Sequence, residues 1–418
     1  MTTLLRDAQG ESLSTTDRAS LAAYDQALDL FNSYRMDPVA VLTPALARDP
    51  QFVSGQLLMA GLMLSAVDPQ LHGMAKACLD AAAASRQKAN AREQSLLAAL
   101  AAWSSGDLLR ANQLLGRHLL EHPRDILALQ LAHVGDLVLG QSFMLRDRVA
   151  RTLTRWGAQD KAYGYVLGMH AFGLEECSEY ARAEAVGRRA VELQPHDAWG
   201  VHAVAHVCEM QGRVADGIAW MQATQPHWGR DCSLAVHNHW HLALMQMNRG
   251  DTDAALALYD QAVAPAPEAI ALNLSDASAL LWRLSLRQVD VAERWQALAA
   301  RWRQQAAWGC YAFNDMHAML ALVAAGDEAA ARAGLAAITT AAHAPRGTQA
   351  WRTVALPACQ AIQAFVAGRH AHAMELLLPL LAHHQALGGS YAQRDLLHLT
   401  ALEAASRCGN RAVARALG

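Results

Sequence analysis

Residues 178–226 read SEYARAEAVGRRAVELQPHDAWGVHAVAHVCEMQGRVADGIAWMQATQP. The stretch holds one phrase twice, once from Ser178 and again from Gly212. Each copy opens on a turn residue, carries a small residue five positions on, and runs through apolar positions to a Pro. A Gly at the opening suits a left-handed cap at the end of a first helix. The polar residues after it favour the start of a second helix. The Pro closes the unit, because it cannot continue a helix. From Ser178 to Gly212 the period is about 34 residues, the length of a tetratricopeptide repeat.

The phrase recurs on both sides of this stretch. It reads GDLLRANQLLGRHLLEHP from Gly106 and GDTDAALALYDQAVAPAP from Gly250. It returns as GDEAAARAGLAAI from Gly326, GRHAHAMELLLPLL from Gly368 and, truncated, GNRAVARAL from Gly409. Later periods are longer, so the repeats are degenerate. The pattern predicts first (A) helices near Tyr163–Cys177, Ala198–Gln211, Ser233–Arg249, Ala269–Leu286, Gly309–Ala325, Gln349–Ala367 and Ser390–Cys408. Residues 17–155 read as further helix pairs, and residues 160–418 as the clearer repeats. No Gly/Ser/Pro-rich linker divides them; Pro226–Asp231 and Pro265–Pro267 are the best loop candidates. The expected fold is all-α: a single right-handed α-solenoid of degenerate tetratricopeptide-like helix pairs over residues 1–418, because such units bury their faces only by stacking.

Composition narrows the function classes. Hydrophobic residues make up 53% and charged residues 17% of the 418, with a net charge of -3. That is too apolar for a disordered chain. No Lys/Arg stripe with interleaved aromatics appears, so nucleic acid is not an expected partner. The longest apolar runs, Leu57–Val67 and Leu376–Leu381, fall short of the ~18 residues that span a bilayer, so no membrane partner is expected. MTTLLRDAQGESLSTTDR lacks the apolar core of a secretory signal. Seven cysteines stand singly with no C-x-x-C pair, which fits small core residues in a reducing cytoplasm. Monomer and homo-oligomer both stay open.

Nineteen histidines are many, and they crowd into Asp197–His241. His202, His206 and Glu209 stand at i, i+4 and i+7, within about 60° on one helix face. His237 and His241 repeat the i, i+4 spacing on the next A helix, while His239 points the other way. In tetratricopeptide solenoids the A helices line the concave surface, so these groups can converge in one groove. Other A helices carry polar residues in apolar surroundings: His170, Glu175 and Glu176, Asp276, Asn314, Asp315 and His317, and Arg394. Trp199 and Trp240 flank them. A concave, aromatic-walled site with a few convergent polar groups has the character of a small-molecule pocket.

Three readings of this constellation stand side by side. Two His-x-x-x-His pairs with carboxylates suit a divalent metal such as Zn, Fe or Mn, held by His202, His206, His237 and His241. HAVAH shares only the histidine spacing of H-E-x-x-H and lacks its internal Glu. Alternatively, a metal-free pocket uses a His–carboxylate general base, His206 with Glu209 or His317 with Asp315. His170, Glu175, Trp199, Trp240, Asp276 and Arg394 then bind substrate. In the third reading the histidines pack between stacked helices and satisfy one another, although leaving any of them unpaired costs ~1–3 kcal/mol.

Seven phrases together resemble the bacterial branch of the tetratricopeptide repeat protein 38 family. They are AFGLEEC (171–177), DAWGVHAVAHVCEMQGR (197–213), HNHWHLAL (237–244), LYD (258–260), DASALLWRL (276–284), FNDMHAM (313–319) and GGSYAQRD (388–395). The resemblance implies a helical-repeat solenoid along the whole chain and supplies no reaction. Its phrases largely coincide with the polar residues picked out by helix geometry. The resulting expectation is a small-molecule site in the groove, with metal-assisted hydrolysis as its chemistry and Glu209 as base or ligand. The alternative is an interaction scaffold that grips a peptide or protein. Peptide grooves of this type present Asn, Lys and Arg, whereas this one presents His, Glu, Asp and Trp.

Overall fold

The computed structural model describes residues 5–305, 307–344 and 350–418. Among these residues it is all-helical, without a named strand. The packing separates two compact units. The first comprises residues up to Leu137 and Gln141–Asn238; the second comprises Val138–Gly140 and His239–Gly418. In chain order the helices begin with α1 (Arg18–Asn32), α2 (Pro38–Arg48), α3 (Val53–Ser65), α4 (His72–Ala84), α5 (Ala91–Ser104), α6 (Leu108–Glu121) and α7 (Ile126–Val138). They continue with α8 (Ser142–Leu153), α9 (Tyr163–Glu175), α10 (Tyr180–Leu193), α11 (Ala198–Met210), α12 (Val214–Trp228) and α13 (Ala235–Asn248). The remainder are α14 (Thr252–Leu258), α15 (Ala271–Leu286), α16 (Ala292–Gln305), α17 (Ala312–Ala324), α18 (Glu328–His343), α19 (Leu356–Val366), α20 (His370–Leu377), α21 (Tyr391–Arg407) and α22 (Arg411–Leu417).

The expected A helices correspond to α9, α11, α13, α15, α17, α19 and α21, within a few residues at most ends. Gln349, the expected start of one, lies outside the described residues, as do residues 1–4 of the segment read for a signal. One wide π-turn, Trp351–Ala355, precedes α19. Pro226, expected in a loop, sits in the last turn of α12. There its missing N–H costs a single helical bond, and Gly229 N still reaches Gln225 O at 2.8 Å.

The repeated phrase does the same work at each copy. Gly106 adopts φ +85°, and its N–H and that of Asp107 donate back to Trp103 O and Ala102 O at 2.9 and 3.0 Å. This pair of bonds is the Schellman cap, which answers carbonyls the helix end would leave unpaired. It recurs at Gly212, Gly250, Gly326, Gly368 and Gly409. Five residues on, Ala111, Ala255, Ala331 and Ala373 are buried, where a small side chain lets each B helix close on its A helix. The copy without a glycine behaves alike: Ser178 takes φ +62° and makes the same two bonds, and Ala183 is fully buried.

Helices pack as neighbouring pairs, and several A helices also meet the next A helix: α3 with α5, α9 with α11, α15 with α17, α17 with α19. The A helices are therefore buried nearly all round, as α9 and α11 are. The B helix α10 buries only Ala183, Gly187 and Ala190, one narrow stripe. Within the second unit α21 also returns to α15. Arg283 Nη2 donates to Ala392 O at 2.7 Å and Trp282 Nε1 to Thr400 Oγ1 at 2.9 Å, so this unit closes on itself.

No helix among the described residues is long and apolar enough to cross a membrane. All seven cysteines carry free thiols.

Candidate metal centre

Two glycines bring α9 and α11 together. A Cβ on Gly168 would lie 3.2 Å from Gly200 N and would collide with the Asp197 carboxylate. Only a bare backbone fits at that crossing. Asp197 caps α11, accepting from Trp199 N at 3.2 Å. With the crossing fixed, Phe172 and Glu175, one and two turns along α9 from Gly168, face His202 and His206 on α11.

The two α11 imidazoles lie with ring centres 4.4 Å apart. His237 of α13 reaches across, its Nε2 3.0 Å from His202 Nε2. His241 stands one turn beyond His237 on the same helix. Each of the three imidazoles of the first unit, His202, His206 and His237, offers one nitrogen, and those atoms lie within 4.8 Å of one another. His202, His206 and His241 are buried, whereas His237 is half-buried. His237 thus forms the solvent side of the cluster.

Glu175 supplies the carboxylate. Its Oε2 lies 3.4 Å from His206 Nδ1, and the pair is almost wholly buried. Ligand atoms of Glu175, Glu176 and His206 also fall within 4.8 Å of one another. Glu209, the residue that helix spacing paired with His206, is half-buried in the last turn of α11. Its charge acts on His206 more weakly than that of Glu175. Sequence spacing sees partners along one helix; Glu175 arrives from a different one.

The electrostatics of adjacent rings diverge. Burial, reinforced by His206, His237 and His133, holds His202 well below the ordinary histidine value. Burial acts the same way on His206 and is the largest single effect, but the Glu175 carboxylate, with help from Glu209 and Glu176, outweighs it and raises that imidazole. His202 is therefore a neutral imidazole with a lone pair to offer, and His206 is an imidazole made more basic by a carboxylate, as outer-shell carboxylates do for metal-binding histidines.

An aromatic wall encloses His202. Trp199 and Phe172 lie 4.7 and 5.3 Å from its ring, and Tyr34 stacks on Trp199 at 5.5 Å. The Trp199 indole N–H donates to His133 Nε2 at 3.1 Å. His133 and Tyr34 were not singled out in the sequence. His133 sits in an apolar run of α7, with no spacing signal to mark it.

The other expected residues lie elsewhere. His170 is on α9 but faces Arg146, Glu179 and Arg182, and burial lowers its pKa. Trp240, Asp276, Asp315, His317 and Arg394 belong to the second unit, and so does His241, expected as a fourth ligand beside His202, His206 and His237. There Trp240 packs on His241 with ring centres 4.8 Å apart and under Arg283 at 5.4 Å. Asp276 accepts from Gln393 at 3.5 Å. His317, pushed down to about 4 by burial, bonds through Nδ1 with Phe313 O at 2.8 Å. The Asp315 carboxylate instead accepts from Gly309 N and from Trp351 Nε1 at 2.8 Å. Two residues apart on a helix is a rotation of about 200°, so these two groups point to opposite faces. Arg394 bonds to Gly389 O.

A comparison of the chain with the sequence profiles of known protein families finds no match.

Proposed function

We propose that this protein is a right-handed α-solenoid of degenerate tetratricopeptide-like pairs whose histidine cluster holds a divalent metal and acts on a small molecule as a metal-assisted hydrolase. The observation that carries the reading is the convergence of His202, His206 and His237 with Glu175 behind His206. A tetrahedral Zn site with Zn–N bonds of about 2.0–2.1 Å sets its nitrogens roughly 3.3 Å apart. The 3.0 Å His202–His237 separation and the 4.8 Å spread of the cluster need only side-chain adjustment to meet that figure. Imidazole donors suit Zn or Fe better than Mn, which prefers carboxylate and water.

Each chain group has a part. His202 offers a neutral lone pair, and His206 is oriented and made basic by Glu175. Trp199 and Phe172 exclude water from the inner side, and half-buried His237 faces the approach. A divalent ion held here would lower the pKa of water toward ~7 and supply a nucleophile at neutral pH. A peptide-gripping scaffold is less well supported, because the converging side chains are buried. The phrases resembling the tetratricopeptide repeat protein 38 family include His202, His206, His237 and His241, which agrees with a site belonging to that family. The free thiols favour a cytoplasmic setting.

The deciding experiment is elemental analysis of tag-free protein purified without chelator, beside a His202→Ala/His237→Ala variant. Near-stoichiometric Zn or Fe that disappears in the variant is expected. A wild-type protein that holds no metal even after incubation with Zn and Fe(II) would falsify the metal reading.

A further inference from the structure

The second unit holds a cavity far along the chain from the histidine cluster. The A helices α15, α17, α19 and α21 bring their C-terminal ends around a single space of about 450 Å³. That is within the size range of small-molecule pockets. Its walls are Trp282 and Leu286 of α15, Trp295 of α16, Phe365 of α19, His370 of α20 and Arg407 of α21.

The polar atoms sort into used and available. The Trp282 indole N–H is bound to Thr400 and that of Trp295 to Ser285 Oγ at 3.0 Å, so both rings offer apolar faces. Arg407 lies over Phe365, with its guanidinium carbon 4.9 Å from the ring centre. Only its Nε is engaged, with Glu403 at 2.7 Å. Its two terminal nitrogens make no hydrogen bond among the described residues. His370 stands against the same phenyl ring at 5.1 Å, and its buried Nδ1 has no partner among the described residues.

The negative ends of several helices would ordinarily favour a cation here. Their last carbonyls are already answered, however. Gly368 N and Arg369 N donate to Phe365 O and Ala364 O, and Gly409 N and Asn410 N to Ser406 O and Ala405 O. What remains in the wall is a guanidinium fork beside an imidazole, together with the Asp290 carboxylate, which accepts from Ala292 N at 3.1 Å. A fork of this shape matches a carboxylate with two parallel bonds.

We propose that this cavity binds a small carboxylic acid with a flat apolar body, its carboxylate on Arg407 and His370 and its body between Trp282, Trp295 and Phe365. The inference is independent of the metal reading, so chelator treatment should leave it untouched.

Calorimetric titration of the full-length protein with 4-phenylbutyrate tests it, beside 4-phenylbutylamine, which has a similar body and the opposite charge. The carboxylate is expected to bind one to one, with a dissociation constant of roughly 1 mM or tighter for a ligand of this size. The amine should bind at least tenfold more weakly. Arg407→Gln, at an exposed side chain, should weaken the carboxylate at least tenfold, and Ala324→Phe, which narrows the cavity, should abolish binding. Absence of saturable carboxylate binding, equal affinity for the amine, or an unchanged Arg407→Gln titration would each overturn the proposal.

Discussion

His202 and His237 approach to 3.0 Å between Nε2 atoms, although 35 positions of chain separate them. Two protonated imidazoles cannot share that distance. One must donate to the other, or both lone pairs must turn to a cation. Protons and metal therefore compete for the cluster.

That competition makes the metal site pH-dependent with a definite sign. His206 carries the raised pKa and His202 the lowered one, so His206 takes up a proton before His202 as pH falls, and zinc affinity should decline from that point downward. Glu175→Gln removes the negative charge that raises it. The acid limb of a zinc-affinity titration should then move to lower pH, while affinity at pH 8 falls ~10–100-fold through loss of the supporting carboxylate. An acid limb that stays in place would remove His206 from the ligand set.

Asp125 anchors a buried network in the first unit. It accepts from Arg92 at 2.6 Å and His118 at 2.9 Å, and from Ala128 N at 3.0 Å at the start of α7. Burial opposes its charge, but Arg92 and His118 hold the carboxyl well below the usual range. A lowered carboxyl pKa contributes stability above the unfolded value of ~3.9, lost only as pH falls through the folded value. Asp125→Ala leaves Arg92 buried without its main partner. It should cost about 3–5 kcal/mol in urea unfolding at pH 7. A loss below about 1 kcal/mol would mean that water solvates Arg92.

Ser178 occupies the cap position that glycine holds at Gly106, Gly212 and Gly250, with φ +62°. A side chain in that left-handed conformation costs ~1–2 kcal/mol. Ser178→Gly should therefore stabilise the protein by up to about 1 kcal/mol, less what glycine adds to the entropy of the unfolded chain. Gly212→Ala should destabilise it by a similar amount. Both are read from denaturant midpoints at unchanged slope.

These residues also show what the sequence makes legible. The Schellman glycines and the buried Ala111, Ala183 and Ala255 follow from local chain chemistry, so the helix pairs could be read residue by residue. The i, i+4 histidines were legible because they share one helix. Glu175 beside His206 joins two helices, and Tyr34 on Trp199 joins the turn after α1 to α11; no periodicity encodes which part of one segment meets which part of another. Asp315 with His317 was the opposite case, since helix rotation already sets two such neighbours on different faces. Pro226 was misplaced because a proline marks the neighbourhood of a helix end, and the last turn tolerates it as well as the loop does.

Asp197 gives the sharpest pH test. Burial, against hydrogen bonds from Gly200 and Trp199, pushes its carboxyl up to about 7. The group's raised folded pKa means that its stabilising contribution is complete below the unfolded value of ~3.9. It drains away as pH rises, by at most about 1.4 kcal/mol per unit, and levels off above 7. Asp197→Asn keeps a competent helix cap and removes the charge. The stability difference between variant and wild type should thus grow in favour of the variant from pH 4 to pH 7 and then stay constant. Parallel stability curves over that range would show that Asp197 ionises in place, with water reaching the start of α11.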